Sequence, residues 1–116
     1  MQSNVDIKRG TTPTLPITIF MPFENVKHID FIFKRELEEN HPTLLEVGYD
    51  FPETSVEKAE NSFIVNVKLS AEETRKLKAG RVYMDTKIIL NNGDIPKTEI
   101  VEIEVGATLF KGENGK

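Results

Sequence analysis

Hydrophobic and polar residues alternate with a period of two along much of this chain, most strictly between Phe63 and Val105. Phe63, Val65, Val67 and Leu69 fall on one side, with Ile64, Asn66 and Lys68 on the other, the spacing of a strand with one face in a core. Ser70-Ala71-Glu72-Glu73 follows and matches a capping box: the serine side chain takes a backbone amide three residues on, and the glutamate reaches back. Acids at the start and Arg75, Lys76 and Lys78 at the end complement a helix dipole. Gly80 stands where a left-handed cap is expected to end the helix. A helix of about two turns cannot stand alone, so Leu77 is expected to pin it over one end of the strands.

Arg81 to Leu90 reads as the longest strand, with Val82, Met84, Thr86, Ile88 and Leu90 on one face and Tyr83, Asp85, Lys87 and Ile89 on the other. Asn91-Asn92-Gly93-Asp94 predicts a tight hairpin turn, because Asn-Gly suits positive φ at both central positions. The return strand is expected over Ile95 to Val105, with Val101, Ile103 and Val105 inward and Glu102 and Glu104 in water.

Earlier in the chain the pattern is shorter. Val5 and Ile7 give a brief alternation that ends at Arg9-Gly10-Thr11-Thr12. Leu15, Ile17 and Ile19 form a second strand, and Pro13 and Pro16, which cannot donate to a ladder, place it at an edge or a bulge. Pro22 predicts a turn at residues 21–25 by keeping Met21 out of the helical region. Ile29, Phe31 and Phe33 define a core strand over Val26 to Lys34. The charged segment Arg35 to Asn40 is a hairpin loop or one helical turn, stopped by His41-Pro42. Thr43 to Tyr49 is expected to pair back on the preceding strand. Asp50 to Asn61, rich in acids and poor in apolar residues, reads as a mobile surface loop. Residues 1–110 are expected to form one domain, including an apolar Leu109-Phe110 pair, with residues 111–116 as a flexible tail.

About seven short strands, one small helix and regularly spaced turns predict an all-β, two-sheet antiparallel sandwich. Composition changes this little. The chain of 116 residues can bury roughly two-thirds of its unfolded surface. It has no Cys, which excludes disulfides and thiolate chemistry. A net charge of −4 with both signs interleaved argues against a nucleic-acid binder. No apolar run reaches membrane-span length, and the polar opening MQSNVDIKRG is unlike a signal peptide, so the expected compartment is the cytoplasm or an assembly built there.

Two sets of residues carry a resemblance. Ser70, Thr74, Leu77, Gly80, Tyr83 and Asp85 follow the pattern of a Ser or Thr, a Thr, a Leu and a Gly before a tyrosine-containing strand, and Lys8-Arg9-Gly10-Thr11 supplies an arginine–glycine opening. In this order they resemble the immunoglobulin-like N-terminal domain of phage baseplate upper proteins and related phage and prophage tail structural proteins. The resemblance covers most of the chain but leaves residues 35–61 unmatched. It implies an immunoglobulin-like sandwich that is a virion structural protein of a phage or prophage tail, in the baseplate or tail-tip region. It also implies assembly by protein–protein contact with other tail proteins or further copies of the chain, without catalysis; no cofactor, nucleic-acid or membrane partner is expected from the residues themselves. The alternative from another class is a bacterial immunoglobulin-like carbohydrate- or protein-binding module, which the absence of Trp disfavours as a sugar-stacking platform.

Candidate chemistry is sparse. His28 and His41 lack a recognisable ligand set or acid–base partner in the sequence and read as packed or solvated residues. Glu38-Glu39, one conceivable half of a glycosidase carboxylate pair, reads as solvated surface. The oxygens of residues 91–94 lack the alternating acids and terminal glutamate of a calcium loop. Phosphate-binding, zinc-protease and nucleophile-elbow motifs are missing. Tyr83, Asp85, Lys87 and Ile89, on the outward face of the longest strand, are the interface candidates, because tyrosine is enriched at binding hot spots.

Overall fold

In the computed structural model, residues 2–107 are described, and the predicted tail and the Leu109-Phe110 pair lie outside them. The strands are β1 (Gln2–Lys8), β2 (Thr14–Ile19), β3 (Val26–Lys34), β4 (Thr43–Asp50), β5 (Glu57–Lys58), β6 (Phe63–Lys68), β7 (Gly80–Leu90) and β8 (Val101–Gly106). A 3-10 turn, Phe23–Asn25, precedes β3, and the one α-helix among the described residues, α1 (Ala71–Lys76), lies between β6 and β7. Alternation builds the core as expected: Ile29, Phe31 and Phe33 of β3, Phe63, Val65 and Val67 of β6, and Val82, Met84 and Ile88 of β7 are all buried between the sheets.

One sheet has the order β1-β8-β7-β3-β4 and the other β2-β6-β5. Lettered as in an immunoglobulin domain, β8-β7-β3-β4 is G-F-C-C′ and β2-β6-β5 is B-E-D, so the chain is an immunoglobulin-like β-sandwich. Its first strand departs from the expected antiparallel scheme. β1 pairs in parallel with β8, and Arg9–Thr11 then carries the chain across to the second sheet. β2 is an edge strand, the position its prolines favour.

Four further expectations need correction. The strand after the hairpin begins at Val101, not Ile95. Pro96 cannot donate to a ladder, and side chains occupy that edge of β7: the Thr98 hydroxyl donates to the Thr86 carbonyl at 2.6 Å, and Asp85 accepts from the Thr86 N–H at 2.9 Å. The turn itself is not the type with two positive φ angles, since only Gly93 has one (91°). The Gly93 N–H donates to the Leu90 carbonyl and the Leu90 N–H to the Asp94 carbonyl, which matches a type I turn followed by a glycine bulge. The segment predicted as a mobile surface loop, residues 50–61, instead starts at the last residue of β4, buries Phe51 and contains β5, paired with β6. Phe51, Phe23 and Phe63 meet edge to face, with centroids 5.3–5.8 Å apart, and close one end of the sandwich.

The other end is closed by α1. Ser70 and Glu73 form the capping box, and Leu77 is fully buried as the anchor. Gly80, however, does not cap the helix. Leu77 is the C-cap, in extended conformation, and Gly80 opens β7 at φ 114°, where an added Cβ would lie 3.1 Å from Arg35 Nη2. Arg35 Nη1 donates to the Ala79 carbonyl at 2.8 Å, so the glycine leaves room for a side chain that crosses from the end of β3.

Candidate interaction surface

The outward face of the five-stranded sheet carries the predicted interface residues. Antiparallel register sets Tyr83 opposite Lys34, Asp85 opposite Ile32, Lys87 opposite Asp30 and Ile89 beside His28. The four do not form one cluster. Tyr83 and Asp85 line a depression of about 300 Å³, whereas Lys87 and Ile89 lie outside it, toward the hairpin end of the strand.

The floor and walls of that depression combine Tyr83 with Ile32, Ile100 and Leu37, the last being 52% exposed. Sequence reading missed these three as partners of Tyr83, because they belong to three different segments. The only local signal was Leu37, a lone apolar residue within a charged stretch. The rim is formed by Lys34, Glu36, Glu38, Glu39 and Asp85. The loop that bears the glutamates is an irregular connection, held by Lys34 Nζ, which donates to the Glu39 carbonyl at 2.7 Å, and by the His41 N–H on the Glu38 carbonyl. These contacts engage the backbone of Glu38 and Glu39, and both residues are exposed.

On the other side of Tyr83, the cations are committed within the fold. Arg81 pairs with Glu102 and Glu104. Arg35 is held on the Ala79 carbonyl.

His28 lies on the same face and is neither buried nor simply solvated. Nδ1 lies 2.6 Å from Asp50 and Nε2 lies 2.7 Å from Asp30. Hydrogen bonding to Asp30 and then to Asp50 raises its pKa above the ordinary 6.5, against a smaller opposing effect of burial. Asp50 is the register partner of His28 across β3 and β4, a relation invisible in the linear chain. Gly48, opposite Asp30, admits the ring: a Cβ there would lie 2.7 Å from Asp30 Oδ1 and 3.2 Å from the imidazole. The two carboxylates bind opposite nitrogens of one ring and so do not converge on an ion. Among the described residues no group of three or more His, Cys, Asp or Glu is placed to hold a metal. His41 lies in the loop before β4, apart from this cluster, and the oxygens of the 91–94 turn are used internally, with Asn92 Oδ1 accepting from the Asp94 N–H at 2.9 Å.

At the α1 end, the turn at Arg9–Thr11 meets the helix. Thr74, fully buried, accepts from the Gly10 N–H at 3.0 Å and donates to the Thr11 carbonyl at 2.9 Å, and Arg9 Nη2 donates to the Arg75 carbonyl at 2.8 Å. Gly10 has φ 81°, which lets its N–H point at the helix.

No protein-family model and no curated protein matches the chain. Among solved structures it is similar to the extracellular domain of the voltage-gated sodium channel beta4 subunit, described as a parallel homodimer with a role in cell–cell adhesion, at 15% identity over 92% of each chain and a TM-score of 0.39. A second structure, from work on multimeric cell-adhesive interactions of sodium channel beta subunits, is 12% identical over 91% of each chain with a TM-score of 0.41. At these values the fold assignment rests on the strand order itself.

Proposed function

We propose that this chain is a non-catalytic structural protein of a phage or prophage tail, in the baseplate or tail-tip region, that acts by protein–protein contact. The observation that carries this reading is the Thr74 junction. The arginine–glycine turn at Arg9-Gly10-Thr11 and the Ser70-to-Gly80 segment resemble the tail-protein domain separately, and here they form one hydrogen-bonded unit. The outer sheet face, with Tyr83 at its centre and Asp85, Lys87 and Ile89 along the same strand, is the proposed contact surface. A rigid sandwich closed at both ends suits assembly into a larger particle.

Mass spectrometry of purified particles from an induced lysogen that encodes the chain tests the role. The chain is expected at reproducible stoichiometry with the tail proteins. Particles that form normally and consistently lack it end the proposal.

A further inference from the structure

We propose that the depression beside Tyr83 receives a partner polypeptide segment that presents one large apolar side chain flanked by lysine or arginine. The inference rests on reading this face as a contact surface, and it adds the chemistry of the occupant. Its geometry is that of a small hot-spot pocket: an apolar centre of Tyr83, Ile32, Leu37 and Ile100, ringed by charged groups. About 300 Å³ accommodates one large side chain but no folded element.

Charge decides which partner fits. Four of the five charged residues that line the depression are acidic: Glu36, Glu38, Glu39 and Asp85. The fifth, Lys34, is turned onto the backbone carbonyls of Glu38 and Glu39. The arginines nearest Tyr83 are likewise engaged, Arg81 with two carboxylates and Arg35 with a carbonyl. Asp85 already accepts from the Thr86 N–H. The glutamate carboxylates of the loop take part in none of these contacts and stand exposed around Leu37. Lys34 keeps its charge on the Glu38 and Glu39 carbonyls, yet four acids against one cation leave the lining net negative, and a basic flank on the incoming segment gains attraction where an acidic one is repelled. Lys34 and the His41 N–H tie the backbone of the loop at Glu38 and Glu39, contacts that restrain the rim and so lower the entropic cost of docking.

The test is selection of a yeast-displayed library of random linear peptides against the purified protein, with an unrelated immunoglobulin-like domain as counter-selection. Enriched peptides are expected to carry Phe, Leu, Met or Trp within two positions of Lys or Arg. Their binding should weaken about tenfold or more in the triple variant Glu36→Gln, Glu38→Gln, Glu39→Gln and on raising salt well above physiological strength. Leu37→Ser should weaken it at any salt, and thermal melting of each variant checks that the fold is kept. Enrichment of acidic or charge-free sequences, binding insensitive to the glutamine variant, or no enrichment over the control overturns the proposal. Particle mass spectrometry separates the two readings. A chain present in particles but without basic–apolar selectivity loses only this occupant, and selectivity in a chain absent from particles removes only the tail role.

Discussion

The Thr74 hydroxyl and the Gly10 backbone N–H, 3.0 Å apart, join the only helix among the described residues to the turn by which the chain leaves its first strand. The same hydroxyl donates to the Thr11 carbonyl, so one buried oxygen satisfies a donor and an acceptor 64 and 63 residues away in sequence. Thr74→Val keeps the shape but leaves both backbone groups unmatched, with an expected loss of about 1–3 kcal/mol. Thr74→Ser should recover most of it. Urea midpoints compare the three proteins, and a Val variant as stable as the parent would remove the junction from any account of the fold.

His28 makes stability depend on pH. Both ring nitrogens face carboxylates, so both contacts are hydrogen bonds only when the ring is protonated, and Asp30 and Asp50 hold the folded pKa above 6.5. The contribution is therefore complete below the unfolded value near 6.5 and is lost as pH rises through the raised folded value. The urea midpoint is expected to fall over that interval, and His28→Gln should flatten this part of the profile. NMR titration of the His28 ring reads the shift directly, and a midpoint at or below 6.5 contradicts it.

Gly48 is predicted to control that titration. Gly48→Ala puts a methyl 2.7 Å from Asp30 Oδ1 and 3.2 Å from the imidazole, which forces the ring and carboxylate apart. The His28 pKa should move back toward 6.5 while the domain stays folded, because the displaced atoms are side-chain ends. An unchanged NMR titration in this variant would show that the ring does not need the space.

Phe63 holds the opposite end of the sandwich. It contacts Phe23 at 5.3 Å and Phe51 at 5.8 Å and is almost wholly buried. Phe63→Ala is expected to cost about 3–5 kcal/mol, and Phe63→Leu considerably less. Equilibrium denaturation distinguishes these, and an alanine cost below that of an ordinary surface change would mean that the aromatic cluster is not a fixed part of the core.

Several elements could be read directly because their information is local. The capping box of Ser70 and Glu73 is three residues apart and was legible before any tertiary contact was known. The strict alternation in β3, β6 and β7 likewise indicated which side chains enter the core. The strand predicted from Ile95 failed for a related reason: its residues suit a strand, but pairing depends on a neighbour, and Pro96 with the Thr98 side chain interrupts the edge. The candidate surface was half legible. Tyr83 and Asp85 could be placed on an outward face, but Ile32, Leu37 and Ile100 could not be assigned to the same depression.

By itself the sequence determined an all-β chain with one capped helix, its inward residues, a strand that its prolines confine to an edge or a bulge, and the absence of disulfide chemistry. Each of these follows from spacing or from residue type, which act within a few positions. Only the tertiary structure decided the parallel pairing of β1 with β8, the union of Gly10 with Thr74, the clasp of Asp30 and Asp50 on His28, and the acidic rim around Tyr83. Those depend on register and on which strand lies beside which, and such long-range choices are fixed by the packing of the whole core.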